Sequence, residues 1–387
     1  MTELRIGGYE GPRAPRSDEW EAVLVLSRSI FFPTTTTYRE AAVRWPMALQ
    51  RDFQKDCYTM FLNGQPVSNI GRLERDIVVH GHALRMGFIG GVCTRPDHRG
   101  KGLASAILLA SLAKFRENDV DFVYISGARS MYYGVGANHI GGHTNFTIQS
   151  SAPFQFRGPE AAMRPATPND IGHLIGLSEK EGLRFVRPVA DYELSLRYGH
   201  CSGKACSFRV IEVRAVPVGY VLVARPTEKE PHTIRILEYA GERCAIMTAL
   251  PALAQEAGQA VVMTVPHSDP LLGLLASAGI PGQPGRTSGT VKALDFDRTM
   301  RKLRGYFAEH MPAGLVDALA FAASPGKYVA WSDKEVLELE GENNMLWTVL
   351  GCPPGQTLAN VRATGMMQTL LGRCLPLPLP SMHLNMI

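Results

Sequence analysis

The stretch GGVCTRPDHRGKGLASAILLASL, residues 90–112, decides the reading of this chain. Its first residues close LRMGFIGGVCT (84–94), a nearly continuous apolar run that predicts a buried strand. A basic turn with two glycines follows, and then a helix over roughly 101–117. DFVYISG (121–127) predicts the next buried strand. Strand, helix, strand in this order implies an α/β chain built on a mixed sheet with at least one parallel pair. The helix start is also where chemistry is expected. A helix N-terminus presents unpaired N–H groups and partial positive charge. Gly100 and Gly102 let an anion approach the backbone, Ala104 keeps the next turn narrow, and Arg95, Arg99 and Lys101 add charge. That combination suits a pyrophosphate. It is neither a Walker loop nor a G-x-G-x-x-G dinucleotide fingerprint.

Working outward, Ser17 is the expected cap of a first helix through AVLVL, and residues 57–81 read as strands turning at Asn63-Gly64. Residues 151–160, with Pro153 and Pro159, read as a linker. A second unit then opens with Thr167 as cap, Pro168 at the first helical position and Asp170 in the first turn. Within it, 208–225 predicts a hairpin around Val216-Pro217 and 232–241 a strand. A helix with a kink or break at Pro251 (245–258) and a buried strand (260–266) follow. The two units share this layout, so the simplest account is two copies of one αβ module. The rest differs: 297–311 predicts an amphipathic basic helix, 328–351 three short strands, and LPLPLPSMHLNMI an apolar tail that gains stability by packing back. The domains expected are therefore 1–150, 151–296 and 297–387.

Composition narrows the partners. With 387 residues, 45% hydrophobic and 20% charged, the chain is an ordinary globular one of two or three domains. A formal charge of +4, without a Lys/Arg cluster interleaved with aromatics, argues against a nucleic-acid binder. No apolar run is long enough for a membrane span, and the first residues show no secretory leader. The seven cysteines are scattered without a CxxC pair, which fits a reducing cytosol.

The pattern Val-x-Thr-x-Pro-x-x-Arg-Gly-x-Gly-x-Ala (92–104) resembles motif A of the Gcn5-related N-acetyltransferase superfamily. The resemblance implies that Val92, Cys93 and Thr94 contact the pantetheine arm of acetyl-CoA. Arg99, Gly100, Lys101, Gly102, Leu103, Ala104 and Ser105 would then cradle the pyrophosphate, and Gly127, closing the next strand, would be a further cofactor contact. Tyr132-x-x-x-Gly136-Ala137 resembles the family's Tyr-x-x-x-Gly-Phe, with Ala for Phe. In that family the tyrosine protonates the departing thiolate, which a phenol with a pKa of about 10 is able to do. Tyr133 is the rival in a shifted register.

The second unit lacks the motif: its helix start is YAGERCAIM, and Leu275 stands where the tyrosine would fall, four before Gly279. An active module, a degenerate one and a C-terminal domain are similar to the group that includes the enhanced-intracellular-survival (Eis) acetyltransferases. That resemblance implies a sterol-carrier-protein-like third domain, symmetric homo-oligomers and a catalytic role for the terminal carboxylate, here that of Ile387. The reaction implied is direct transfer of acetyl from acetyl-CoA to a small-molecule amine, with no metal. The alternatives are a non-catalytic acyl-CoA-binding or regulatory protein, or an enzyme using another acyl-CoA. Other residues read as structural. His139 and His143 fall in a loop, His80 and His82 flank a hairpin turn, and His200, Cys201 and Cys206 lack a zinc spacing. Cys93 reads as a buried strand cysteine rather than an acyl carrier, and Phe31, Phe32 and Trp45 as acceptor wall or core.

Overall fold

Asn63 and Gly64 both take positive φ (51° and 72°), and the tight turn they make joins β2 (Cys57–Leu62) to β3 (Gln65–Val79). The computed structural model describes residues 7–34, 37–49, 51–150, 156–201, 203–228, 231–256, 258, 260–333, 335–365, 367–380 and 382. The sheet runs β1 (Glu10–Arg13), β2, β3, β4 (His82–Thr94), β5 (Phe122–Ile125). β4 and β5 are the parallel pair, in register from Met86 opposite Phe122 to Ile89 opposite Ile125.

The helix joining them, Leu103–Glu117, buries Leu103, Ile107, Leu108, Leu112 and Phe115 on one face of the sheet. Gly87 permits this close approach, since a Cβ there would stand 3.0 Å from the Phe115 ring. Helix Trp20–Phe31 covers the other face and buries Trp20, Val23 and Leu24. It starts later than expected from Ser17. Its flanking residue is Glu19, whose buried carboxylate takes hydrogen bonds from the Arg16 amide (2.7 Å) and Arg13 Nη1 (2.7 Å). That ionic anchor, rather than a hydroxyl cap, fixes the first turn.

A second sheet repeats the plan. Its strands run Ala162–Pro165, Lys204–Val213, Val216–Ala224, Thr233–Gly241, Ala260–Pro266. Again the last two are parallel, Thr233–Ile236 against Ala260–Met263, and are joined by a helix, Arg243–Glu256. Pro251 sits inside that helix without ending it. The hairpin turns at Arg214-Ala215 (φ 53° and 60°), two residues before the expected Val216-Pro217. Thr167 and Asp170 form the expected capping box.

Strands also cross over between the two sheets. His143–Ile148 pairs antiparallel with Ala260–Pro266 in the second sheet, and Thr290–Ala293 pairs antiparallel with β5 in the first. Each sheet thus takes in a strand from the other part of the chain, and in the second sheet Gly282–Gly285 pairs outside it as the edge.

The remainder forms an antiparallel sheet, Ala320–Ser324, Lys327–Ser332, Glu335–Glu340, Val361–Ala363, with helices. The expected helix over 297–311 is two, Phe296–Lys302 and Arg304–His310, interrupted at Leu303. MLWTVLG, expected as a strand, lies in helix Glu342–Leu350. Met345, Leu346, Val349 and Leu350 recur at helical spacing and join the large core. The tail packs back: Leu375, Leu377 and Met382 enter the same core as Phe88 and Tyr124 of the first sheet. Each such side chain contributes roughly 1.5–3 kcal/mol on burial.

Candidate active site

The first sheet opens where the motif begins. β4 stays bonded to β3 as far as Ser68 opposite Thr94, and the Arg95 amide still donates to Val67 O (2.9 Å). On its other side the last bond to the β5 segment is Ser126 N to Ile89 O (2.8 Å). A bulge between the Gly71–Gly90 and Asn69–Cys93 pairs, with Gly91 at φ 57°, bends β4 away from β5. The result is a wedge whose β4 wall is Gly90 to Thr94. Val92 packs toward the apolar cluster under the long helix, while Cys93 is buried against Ser27 on the opposite side.

At the mouth of the wedge the chain makes a turn at Pro96–His98 and enters the helix through Gly100 (φ 76°) and Gly102 (φ 75°). Gly102 is the N-cap, with no side-chain cap, and Ala106 N to Gly102 O (3.0 Å) is the first helical bond. Among the described residues the amides of Gly100 through Ser105 have no acceptor. A Cβ on Gly100 or Gly102 would meet nothing within 4 Å, so the space before these amides is open. Arg99 Nε donates to Thr94 O (3.3 Å), Arg95 pairs with Asp97 (2.8 Å), and Lys101 Nζ donates to Tyr9 OH (3.1 Å). Tyr9 in turn lies 2.8 Å from Nδ1 of His98. Tyr9 and His98 escaped the sequence reading, because nothing local links residue 9 to a turn ninety residues on.

Tyr132 lies within a short helix, Ser130–Tyr133, and is 1% exposed. It shares one apolar cluster with Leu103, Ile107 and Ile125, and a Cβ on Gly127 (φ 131°) would stand 3.6 Å from its ring. Burial pushes its hydroxyl pKa above the ordinary 10. Among the described residues that hydroxyl has no hydrogen-bond partner. Tyr133, 43% exposed, lies 3.3 Å from His139 Nε2 and does not enter the cluster. Val92, Leu103, Gly127 and Tyr132 are therefore brought together, with Arg99 through Ser105 at the edge. Ile387 lies outside the described residues.

Burial pushes the Cys93 thiol up to about 12, so it carries no thiolate at neutral pH. Iodoacetamide on the native protein is expected to label exposed Cys244 at least about a hundredfold faster than Cys93 by peptide mass spectrometry. Comparable rates would contradict this burial. Phe31, Phe32 and Trp45 form a cluster with centroids 4.7 and 5.0 Å apart, and Trp45 leans on Gly203 of the second half. His80 stacks near Tyr306 (6.3 Å), and His82 pairs with Glu309 (2.9 Å) instead of standing free in its turn. Among the described residues no group of three His, Cys, Asp or Glu is placed to hold a metal ion, and no helix is long and apolar enough to cross a membrane.

The second sheet parts in the corresponding place, and ion pairs line the opening. Arg243, at the helix start, pairs with Glu181 (2.6 Å) and Asp269 (2.9 Å) and donates to Gly241 O (2.7 Å). Beside it Arg187, its side chain 2% exposed, makes two bonds to Glu238 (2.8 and 2.7 Å), which also accepts from Tyr220 (2.8 Å). A cavity of about 330 Å³ remains around these groups. Leu275 is fully buried where a tyrosine would fall. Glu238→Ala strands a buried guanidinium and is expected to cost about 3–5 kcal/mol in urea unfolding, with Glu238→Gln milder. A loss under about 1 kcal/mol would show that water already serves Arg187.

A parted strand pair thus faces a helix start with unpaired amides, beside a buried phenol. Residues 12–140 match the acetyltransferase (GNAT) domain family. Residues 12–140 are thus an acetyltransferase (GNAT) domain, and the chain that carries it is an acyltransferase. No curated sequence matches the chain.

Solved structures show the same fold. A probable N-acyltransferase of Enterococcus faecalis is 15% identical over 85% of this chain and 82% of its own, with TM-score 0.58. A GCN5-related N-acetyltransferase of Anabaena variabilis is 12% identical over 92% and 85%, with TM-score 0.57. Eis1 of Mycobacterium abscessus is 14% identical over 75% and 74%, with TM-score 0.52.

Proposed function

We propose that the protein transfers an acetyl group from acetyl-CoA to the amine of a small-molecule acceptor. The observation that carries this reading is the run of acceptor-free amides from Gly100 to Ser105 at the open end of the β4–β5 wedge. The diphosphate lies on those amides, with Arg99 and Lys101 adjacent, and the pantetheine follows the β4 wall at Val92, Cys93 and Thr94. An N–H of that wall polarises the thioester carbonyl. The amine nitrogen attacks the carbonyl carbon, the C–S bond breaks, and Tyr132 gives its hydroxyl proton to the sulfur. The proton lost by the amine passes to a carboxylate or water, with the terminal carboxylate of Ile387 as candidate. Positioning of the two substrates supplies most of the rate.

In this reading residues 1–150 are the catalytic module and 151–296 a degenerate copy whose opening the Arg243 ion pairs line. Residues 297–387 are a sterol-carrier-protein-like domain. The repeated strand order supports the first two assignments. Free cysteines suit the cytosol, and a symmetric homo-oligomer is the assembly expected. The test is acetyl-CoA-dependent thiol release across a panel of amines. Tight CoA binding with no release on any amine would favour a non-catalytic acyl-CoA binder, and release only from longer acyl-CoAs another acyl donor.

A further inference from the structure

Beside the acyl wedge lies a cavity of about 220 Å³. It opens at the carboxyl end of β5, the end where parallel strands deliver ligands. Tyr124, one residue before the last β4–β5 pair, forms part of its wall and is held by Ser288 Oγ (3.0 Å) and the Gly289 amide (3.0 Å). The segment 286–289 runs on from the Thr290–Ile125 pair, so it flanks the place where the strands part. The cavity is two-faced. The crossed-over strand supplies His143 and Asn145, strand Thr233–Gly241 supplies Arg235, the 286–289 segment supplies Arg286, and the chain's tail supplies Leu377 and Leu379.

The sign of its charge is one-sided. Among the described residues no Asp or Glu lines it, and the sequence has no acidic residue after Glu342, so the tail brings none. Among the described residues Arg286 has no carboxylate partner. The adjoining 330 Å³ cavity, which shares Thr264, Pro266 and Pro380, does hold Glu181, Glu238 and Asp269, but Arg187 and Arg243 already engage all three. Among the described residues the groove beside the wedge therefore has a guanidinium to offer an anion and no unengaged Asp or Glu side chain for a second cation. A guanidinium binds a carboxylate through paired N–H donors, and an apolar wall opposite favours a hydrocarbon body.

We propose that this cavity takes the carboxylate end of the acceptor, which is an apolar amine bearing a carboxylate, of the amino-acid class. The inference rests on the acetyl-transfer reading above. Full-length protein is assayed by thiol release with phenylalanine and leucine against the same amines without the carboxylate, phenethylamine and isoamylamine. Binding of N-acetylphenylalanine and N-acetylphenethylamine to the CoA-loaded protein is measured by calorimetry.

The carboxylate-bearing member of each pair is expected to be favoured about tenfold or more in kcat/KM and in affinity. Arg286→Gln is expected to remove most of that preference, and Arg362→Gln, on an exposed edge strand, to keep it. If carboxylate-free amines react as well, or Arg286→Gln leaves the preference intact, the proposal is overturned while acetyl transfer stands. If no amine reacts yet N-acetylphenylalanine binds in an Arg286-dependent way, the anion site stands and the transfer reading fails. If neither carboxylate probe binds or reacts, the site is overturned.

Discussion

Gly102→Asp is expected to weaken CoA binding at least a hundredfold, to about 3 kcal/mol or more. Two effects act together. The residue sits at φ 75°, where a side chain costs about 1–2 kcal/mol of backbone strain, although Asp tolerates it better than most. The larger effect is electrostatic. The new carboxylate would stand in the open space before the amides of Gly100 to Ser105, where it satisfies the N–H groups itself and repels a diphosphate. Gly102→Ala carries the strain without the charge and should lose only about tenfold or less in affinity. Calorimetry with CoA measures both, with circular dichroism to verify the fold. An Asp variant binding within twofold of wild type would remove the diphosphate from this helix start.

The second large effect is on turnover. Tyr132→Phe is expected to lower kcat by about a hundredfold or more, in the range typical of a lost general acid, with CoA affinity within about twofold. The phenol is buried yet has no hydrogen-bond partner among the described residues. Removing a structural hydroxyl usually strands its partner and costs stability, so a purely structural Tyr132 should show up as a drop in Tm. Here Tm should stay level or rise while kcat falls. Because burial raises the hydroxyl pKa, the acid stays protonated as pH rises through 7–9, so the variant's deficit should be constant over that range. Tyr133→Phe, outside the cluster, serves as control. Full activity of Tyr132→Phe would pass the proton donation to another group.

What the sequence disclosed was local. The strand–turn–helix at 84–117, the Asn63-Gly64 turn and the Thr167–Asp170 box are each set by neighbours a few residues apart, and each lies where the residues pointed. MLWTVLG misled because a short, largely apolar run ending at a glycine fits a strand and a buried helix equally, and only packing against the large core decides. The 208–225 hairpin was misplaced because Arg214 and Ala215 accept positive φ without the Gly or Asn that marks such turns. Ser17 offered a cap, but the Arg13–Glu19 pair outweighed it.

Of the candidate site, the helix start at 99–105 and Tyr132 were legible as a pattern because one continuous stretch carries them. The Tyr9–His98–Lys101 chain and the cavity at Arg286 join residues that are far apart in sequence, and no local pattern announces them.

The crossing of His143–Ile148 and Thr290–Ala293 between the sheets makes each half hostage to the other. A fragment ending at residue 150 would present β5 as a bare sticky border and carry a homeless strand, an invitation to clumping or to intertwined dimers. Two such fragments supplied together could clasp and rebuild the pair. The same handshake gives a half whose own wedge is lined by arginine–carboxylate pairs a structural task, because it lends the first sheet the strand that covers β5.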